Sequence, residues 1–134
     1  MVKKEIMDPI HGMIYLKDKE VKLLDTKILQ RLRRIKQLAM TDMVFPGAQH
    51  TRFEHSLGVL ETSRRIGEKI NSNINIEKIR RAGLLHDIGH GPFSHISEKI
   101  MERNSNKDDI HEKISADLIF YEDPEDKNKE HIQD

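Results

Sequence analysis

Residues 84–95 read Leu84-Leu85-His86-Asp87-Ile88-Gly89-His90-Gly91-Pro92-Phe93-Ser94-His95, three histidines and an aspartate in a segment broken by two glycines and a proline. Leu84 and Leu85 place the His-Asp pair at the buried end of a helix, where a carboxylate without a partner is costly. Gly89 and Gly91 let the backbone turn sharply and approach another group closely. Pro92 suits the first turn of a new helix. Helix, sharp turn, helix, with polar groups gathered at the junction, is a poor way to build a core and a sensible way to build a site. A helix turns once in about 3.6 residues, so His86 and Asp87 point about 100° apart and need help from another helix to hold one ion. His55, near the start of an earlier helix, is the natural third ligand. Imidazole and carboxylate donors suit Fe, Mn, Ni, Zn or Mg, so they call for a divalent metal without choosing it. The competing reading, ordinary surface or satisfied core histidines, draws on how readily a chain with eight histidines produces a lone His-Asp pair.

Outward from this segment, helical spacing covers most of the chain. Asn75 caps a helix expected over 76–87, and a helix over 52–71 turns Leu57, Leu60, Ile66 and Ile70 inward, with a loop over 71–75 between them. From Thr26 onward, Ile28, Leu29, Leu32, Ile35, Leu38 and Ala39 recur on one helical face, and Arg31, Arg33, Arg34 and Lys36 take the other positions. Asp25 or Thr26 is the expected N-cap, and Phe45-Pro46-Gly47 a turn. Further helices start near Pro92 and near Ile110. Only residues 5–16 read as an extended pair, around Pro9-Ile10-His11-Gly12. The expected fold is all-α, a helical bundle with a small N-terminal β-hairpin. The folded unit spans 1–121, and residues 122–134 form a polar, disordered tail.

The 134 residues suit one small domain. With 36% hydrophobic and 4% aromatic residues the core is thin, and partner copies, a homo-oligomer, would supplement it. A net charge of zero gives no global attraction to nucleic acid or an anionic membrane. The lack of cysteine excludes disulfides and thiol catalysis and fits a reducing compartment. The start, Met1-Val2-Lys3-Lys4-Glu5, leads into no signal-peptide core, and no apolar run reaches membrane length, so a cytoplasmic protein is expected.

Four segments carry a resemblance: DPIHG (8–12), QRLRRIKQL (30–38), VFPGAQHTRFEHSLGV (44–59) and LLHDIGHGPFSH (84–95). In the same order they resemble the HD-domain deoxynucleoside triphosphate triphosphohydrolases, most of all the branch with the vertebrate SAM- and HD-domain enzyme. The similarity runs from about Asp8 to about Asp117. It implies hydrolysis of dNTPs to deoxynucleoside and triphosphate, with water attacking the α-phosphorus and His55, His86 and Asp87 as metal ligands. By the same resemblance His95 is the acid at the leaving oxygen, Glu98 orients it, and His90 and His111 are further active-site histidines. Gln37 and Arg52 match positions that contact substrate. Lys4, Asp25, Gln30 and Arg33 match a site for an activating GTP or dNTP between subunits. Without the resemblance, the basic face is a solvated one, Arg52 pairs locally with Glu54 or Glu61, and His111 is a surface residue.

Three departures from that family stand out. Met7 replaces a polar residue of the vertebrate enzyme, and Glu98 stands where an aspartate is usual. A fourth ligand, an aspartate within a downstream Asp-x-x-x-Asp-Tyr pattern, has no match, since Asp117, Asp123, Asp126 and Asp134 lie in no such pattern. The expectation is the N-terminal part of a longer enzyme, binding metal weakly and hydrolysing dNTPs poorly by itself. Two alternatives are another HD phosphohydrolase, a nucleotidase or phosphodiesterase, and a non-catalytic nucleotide-binding or oligomerising module.

Overall fold

A hairpin and six helices make up the described residues of this computed structural model, namely 2–70, 74–93, 95–105 and 110–120, without the side chains of Val2, Lys3, His95 and Phe120. Strands β1 (Val2–Asp8) and β2 (Gly12–Lys17) pair antiparallel, with Ile6 opposite Ile14 and Asp8 opposite Gly12. Asp8 makes the turn: its Oδ1 accepts from the amides of Ile10 (2.9 Å) and His11 (2.7 Å). Gly12 then takes a φ of 75°, which a side chain would resist. Ile14 and Leu16, two residues apart, turn one face of β2 into the core.

Helix α1 (Asp18–Leu24) follows β2 without a break and was not expected from the sequence. Its start is secured by Glu20, which accepts from the Lys17 amide at 2.9 Å. Thr26 caps α2 (Lys27–Arg31), accepting from the Leu29 amide at 3.4 Å. The helix expected to continue through Ala39 stops here. A 3-10 turn covers Leu32–Arg34, and Ile35 is extended, with φ −113° and ψ 113°. The reason is a long-range pairing. Ile35 O accepts from the Arg52 amide (2.8 Å), and the Gln37 amide donates to His50 O (3.0 Å). Leu29, Leu32 and Ile35 still reach the core, whereas Leu38 is exposed.

Helices α3 (Arg52–Ile70) and α4 (Ile76–Leu85) pack against each other and carry the centre of the fold. Asn75 caps α4, accepting from the Lys78 amide at 3.1 Å. The buried stripe of α3 is Phe53, Ser56, Leu57, Leu60, Glu61 and Gly67. Ile66 and Ile70, expected inward, lie off that stripe and are 51% and 68% exposed. Arg80 of α4 forks onto Glu20 (2.6 and 2.9 Å) and donates to Tyr15 O (2.7 Å), tying α4 to both α1 and the hairpin. Helices α5 (His95–Ser105) and α6 (Ile110–Phe120) pack on each other. The core gathers Ile14, Leu16, Leu24, Leu29, Leu32, Ile35, Phe53, Leu57, Leu60, Leu84 and Ile88. Among the described residues no helix is long and apolar enough to cross a membrane. The tail expected over 122–134 lies outside the described residues.

Candidate metal centre

Helix α4 ends at Leu85, two residues earlier than its periodicity predicts, and this early end makes the site. His86 still has helical dihedrals, but Ile88 N bonds back to Leu85 O and His90 N to Asp87 O, so the chain closes into a tight turn. Asp87 is buried at its centre. Around its carboxylate stand His55 Nε2 (3.5 Å), His86 Nε2 (3.3 Å), His90 Nε2 (3.4 Å) and Arg52 NH1 (2.5 Å). One ligand atom each from His55, His86 and Asp87 lies within 4.8 Å of the other two, so the three can hold one ion. His55 and His86 lean together with centroids 5.3 Å apart and planes tilted by 59°.

The electrostatics suit a cation. Burial pushes the Asp87 carboxyl up, but His90, His86 and Arg52 outweigh it and hold the group well below the ordinary carboxylate range. Burial pushes the His55 imidazole down by more than Asp87 pulls it up, which favours the neutral ring that a metal requires. His86 Nδ1 lies 2.7 Å from Gly83 O. A carbonyl only accepts, so Nδ1 carries the proton and Nε2 is left with its lone pair toward Asp87. The donor set and its tautomer therefore fit a divalent ion.

Arg52 is 1% exposed and bonds to Asp87, 35 residues away. Glu54 caps through Thr51, and Glu61 takes Arg64 and Arg65. The amide oxygen of Gln37 is buried without a hydrogen-bond partner. A second group, His90, Glu98 and His111, also brings one ligand atom from each to within 4.8 Å of the others. Glu98 meets His111 Nδ1 directly. Its expected partner His95 opens α5, with a side chain outside the described ones.

Of the residues matched to an activator site, Lys4 Nζ is 3.5 Å from Asp25, Arg33 donates to Gln30 Oε1 (2.8 Å), and Gln30 donates to Leu24 O (2.7 Å). The Arg33 guanidinium also lies over the Phe53 ring, 3.6 Å from its centroid. Two supporting residues escaped the sequence reading. Arg31 donates to Ile88 O at 2.7 Å and holds the ligand turn, and nothing in its local sequence signals that role. Ser115 accepts from Gly89 N (2.9 Å) and donates to His86 O (3.2 Å). Its place four residues after His111, one helical turn along, was the available signal.

A model of the HD domain matches residues 52–133. The chain is similar to the uncharacterized protein MJ1154 of Methanocaldococcus jannaschii, 50% identical over 95 residues, which cover 71% of this chain and 21% of that one. It is likewise 50% identical over 101 residues to the deoxynucleoside triphosphate triphosphohydrolase SAMHD1 of Homo sapiens, covering 69% of this chain and 16% of that one. Among solved structures, a hypothetical protein from Aquifex aeolicus is similar with a TM-score of 0.77 and 42% identity, over 91% of this chain and 31% of that one. The chain spans about a fifth of the length of the curated relatives named here.

Proposed function

Since the chain belongs to the HD-domain family, matched over residues 52–133, we propose that it is a metal-dependent phosphohydrolase that cleaves dNTPs to deoxynucleoside and triphosphate. The observation that carries this is the convergence of His55, His86 and Asp87 within 4.8 Å, from helix α3 and the turn that follows α4. The support for the substrate class is the 50% identity to a deoxynucleoside triphosphate triphosphohydrolase through this region.

A divalent ion held by His55, His86 and Asp87, Mn, Fe, Mg, Ni or Zn on donor chemistry, would polarise a phosphate oxygen as a Lewis acid. Arg52 keeps Asp87 ionised and oriented, and its guanidinium adds positive charge beside the ligand set. Gln37 has a buried carbonyl oxygen ready to accept a hydrogen bond from substrate. In the reaction a water oxygen bonds to the α-phosphorus as the bond to the nucleoside 5′-oxygen breaks. His95 gives its proton to that oxygen, Glu98 orients His95, and His90 and His111 act as further active-site histidines. Lys4, Asp25, Gln30 and Arg33 form the seat for an activating GTP or dNTP, completed by a second subunit of a homo-oligomer. The two linked pairs at that face supply carboxylate, amide and guanidinium groups that can read a guanine edge.

The test is product identity. The purified chain is supplied with Mn(II) or Fe(II), and each dNTP is incubated with and without GTP, followed by anion-exchange analysis. Triphosphate in equal amount with deoxynucleoside is expected, at the low turnover that follows from a ligand set without its downstream aspartate. Release of inorganic phosphate from nucleotides, or opening of cyclic nucleotides, would replace this reading with a nucleotidase or phosphodiesterase. Nucleotide binding with no product would replace it with a binding module.

A further inference from the structure

Helix α5 turns two different chemistries to its two sides. At about 100° per residue, Ile96, Lys99, Ile100 and Arg103 fall within one sector about 100° wide, and all four are exposed. The helix's two acids, Glu98 and Glu102, lie outside that sector, Glu98 buried and Glu102 half-buried. The outer face of α5 is therefore apolar and cationic, with no acid on it. Its apolar part extends past the helix. Ile96 N bonds back to Phe93 O, and Phe93 shares a cleft of about 400 Å³ with Met40, Met43, Pro92, Arg34 and Lys36. Met40, Met43, Phe93, Ile96 and Ile100 are each more than half exposed. Ala39 and Phe93 border the cleft with φ of 53° and 63°, values that a residue with a side chain takes only where its surroundings impose them. Large apolar side chains gathered in one exposed patch mark an interaction site.

We propose that this face binds the surface of a membrane that contains anionic lipid, with α5 lying along the headgroups. At 11 residues the helix lies on such a surface rather than crossing it. Charge selects this occupant over a second copy of the chain. Apart from the Lys36–Asp42 pair, the face carries charge of one sign, on Arg34, Lys99 and Arg103. Two such faces would repel each other, whereas anionic headgroups satisfy all three cations. Shape of the side chains selects it over a nucleic acid, which would answer the cations and leave the apolar groups in water. Lysine and arginine can lay their stems along the isoleucines while their charges reach the headgroups. The apolar groups then sit about 5–10 Å into the boundary with the acyl chains. The chain as a whole is neutral, so the attraction is local and acts within about 10 Å at 0.1 M salt. It does not depend on the reaction proposed above, which uses the opposite side of α5 through Glu98.

The experiment is co-sedimentation of the 134-residue chain with vesicles of phosphatidylcholine containing about one quarter phosphatidylserine, and with vesicles of phosphatidylcholine alone. Binding to the first kind that weakens as salt is raised, with little binding to the second, is expected. Lys99→Gln/Arg103→Gln should bind roughly 25-fold more weakly, at about fivefold per cation. Ile96→Asp/Ile100→Asp should stay in the supernatant. All four side chains are exposed, so these variants keep the fold, which circular dichroism checks. The chain has no tryptophan, so Ile100→Trp supplies a single reporter whose emission should move to shorter wavelength with the anionic vesicles only. Failure to sediment with anionic vesicles, equal binding to both kinds, wild-type binding by Ile96→Asp/Ile100→Asp, or an unshifted Ile100→Trp emission would each overturn the proposal. A dimer in solution that Ile96→Asp/Ile100→Asp abolishes, in a chain that ignores vesicles, would overturn it in favour of a second copy.

Discussion

The pair Glu20–Arg80 fixes α4, and hence His86 and Asp87, to the rest of the molecule, and its removal has a calculable cost. Both residues are buried, 2% and 3% exposed, and are joined by two bonds of 2.6 and 2.9 Å. In Glu20→Ala the guanidinium keeps only Tyr15 O at 2.7 Å and the more distant Glu61 at 3.9 Å. Breaking a buried pair from one side costs about 3–5 kcal/mol, and Glu61 places this case near the lower end. Loss of the bond from the Lys17 amide adds about 1 kcal/mol. At roughly 4–8 °C per kcal/mol for a domain of about 100 residues, a total of about 4 kcal/mol lowers Tm by roughly 15–30 °C. Arg80→Met leaves an uncompensated buried carboxylate and costs a similar amount. The double variant Glu20→Leu/Arg80→Met removes both charges and regains most of the loss, because apolar replacement of a buried pair is often neutral or better. Urea and thermal unfolding followed by circular dichroism, in chelator so that metal contributes nothing, measure all four proteins. Single variants within about 1 kcal/mol of wild type, or a double variant no better than the worse single one, would refute the reasoning.

Three further outcomes follow from the same structure. Saturating Mn(II), at about 100 times its Kd, should stabilise the wild type by about 2.7 kcal/mol, and Asp87→Asn should lose most of that gain; an equal gain in the variant would remove Asp87 from the ligand set. Gly89→Ala should cost about 1–3 kcal/mol through overpacking and speed amide exchange in α6 more than in α3, since the new Cβ meets His111 O and Ser115 N; unchanged α6 exchange would show that this contact is not tight. Glu61 is held at about 2, below its ordinary 4.5, chiefly by Arg64, against burial, with help from Arg65. Its folded pKa is the lower one, so its stabilisation is full above pH 4.5 and is lost as pH falls toward 2. With both arginines partly in solvent the contribution is on the order of 1 kcal/mol, and a Glu61→Gln variant with an equally steep acid limb in that window would contradict it.

Much of the fold was legible because it depends on short-range signals. Thr26 and Asn75 are the helix caps that their side chains suggest, and Leu57, Leu60 and Leu84 fall on the buried faces that spacing assigns them. Where the reading failed, distant partners decide. Helix α1 contains Glu20, whose burial makes sense only once Arg80, 60 residues away, is beside it. The spacing of Leu29, Leu32 and Ile35 correctly marks core residues, but it does not register that the backbone at Ile35 and Gln37 leaves the helix to bond with residues 50 and 52. At the end of α3 it is Gly67 that faces Ile76 of α4, and Ile66 and Ile70 lie off that buried stripe.

The site shows the same division. Residue types in the 84–95 segment announce a metal, and the glycines announce a turn, yet helical geometry alone sets His86 and Asp87 about 100° apart. The structure resolves this by ending α4 at Leu85, so the pair sits in a turn whose carbonyls are claimed from outside. Arg31 takes Ile88 O and Ser115 takes His86 O, from α2 and from α6. A turn held by side chains from both directions can present a buried aspartate with fixed geometry. It can do so only while α6 approaches closely, which Gly89 permits. Gly89, the first glycine of the motif, is therefore a packing requirement for α6 as much as a turn requirement. The same approach carries His111 into reach of Glu98 and stacks it on His90. The features that orient the ligand set thus also gather His90, Glu98 and His111 beside it, so the spacing between the two clusters is set by the backbone of one turn rather than by flexible side chains.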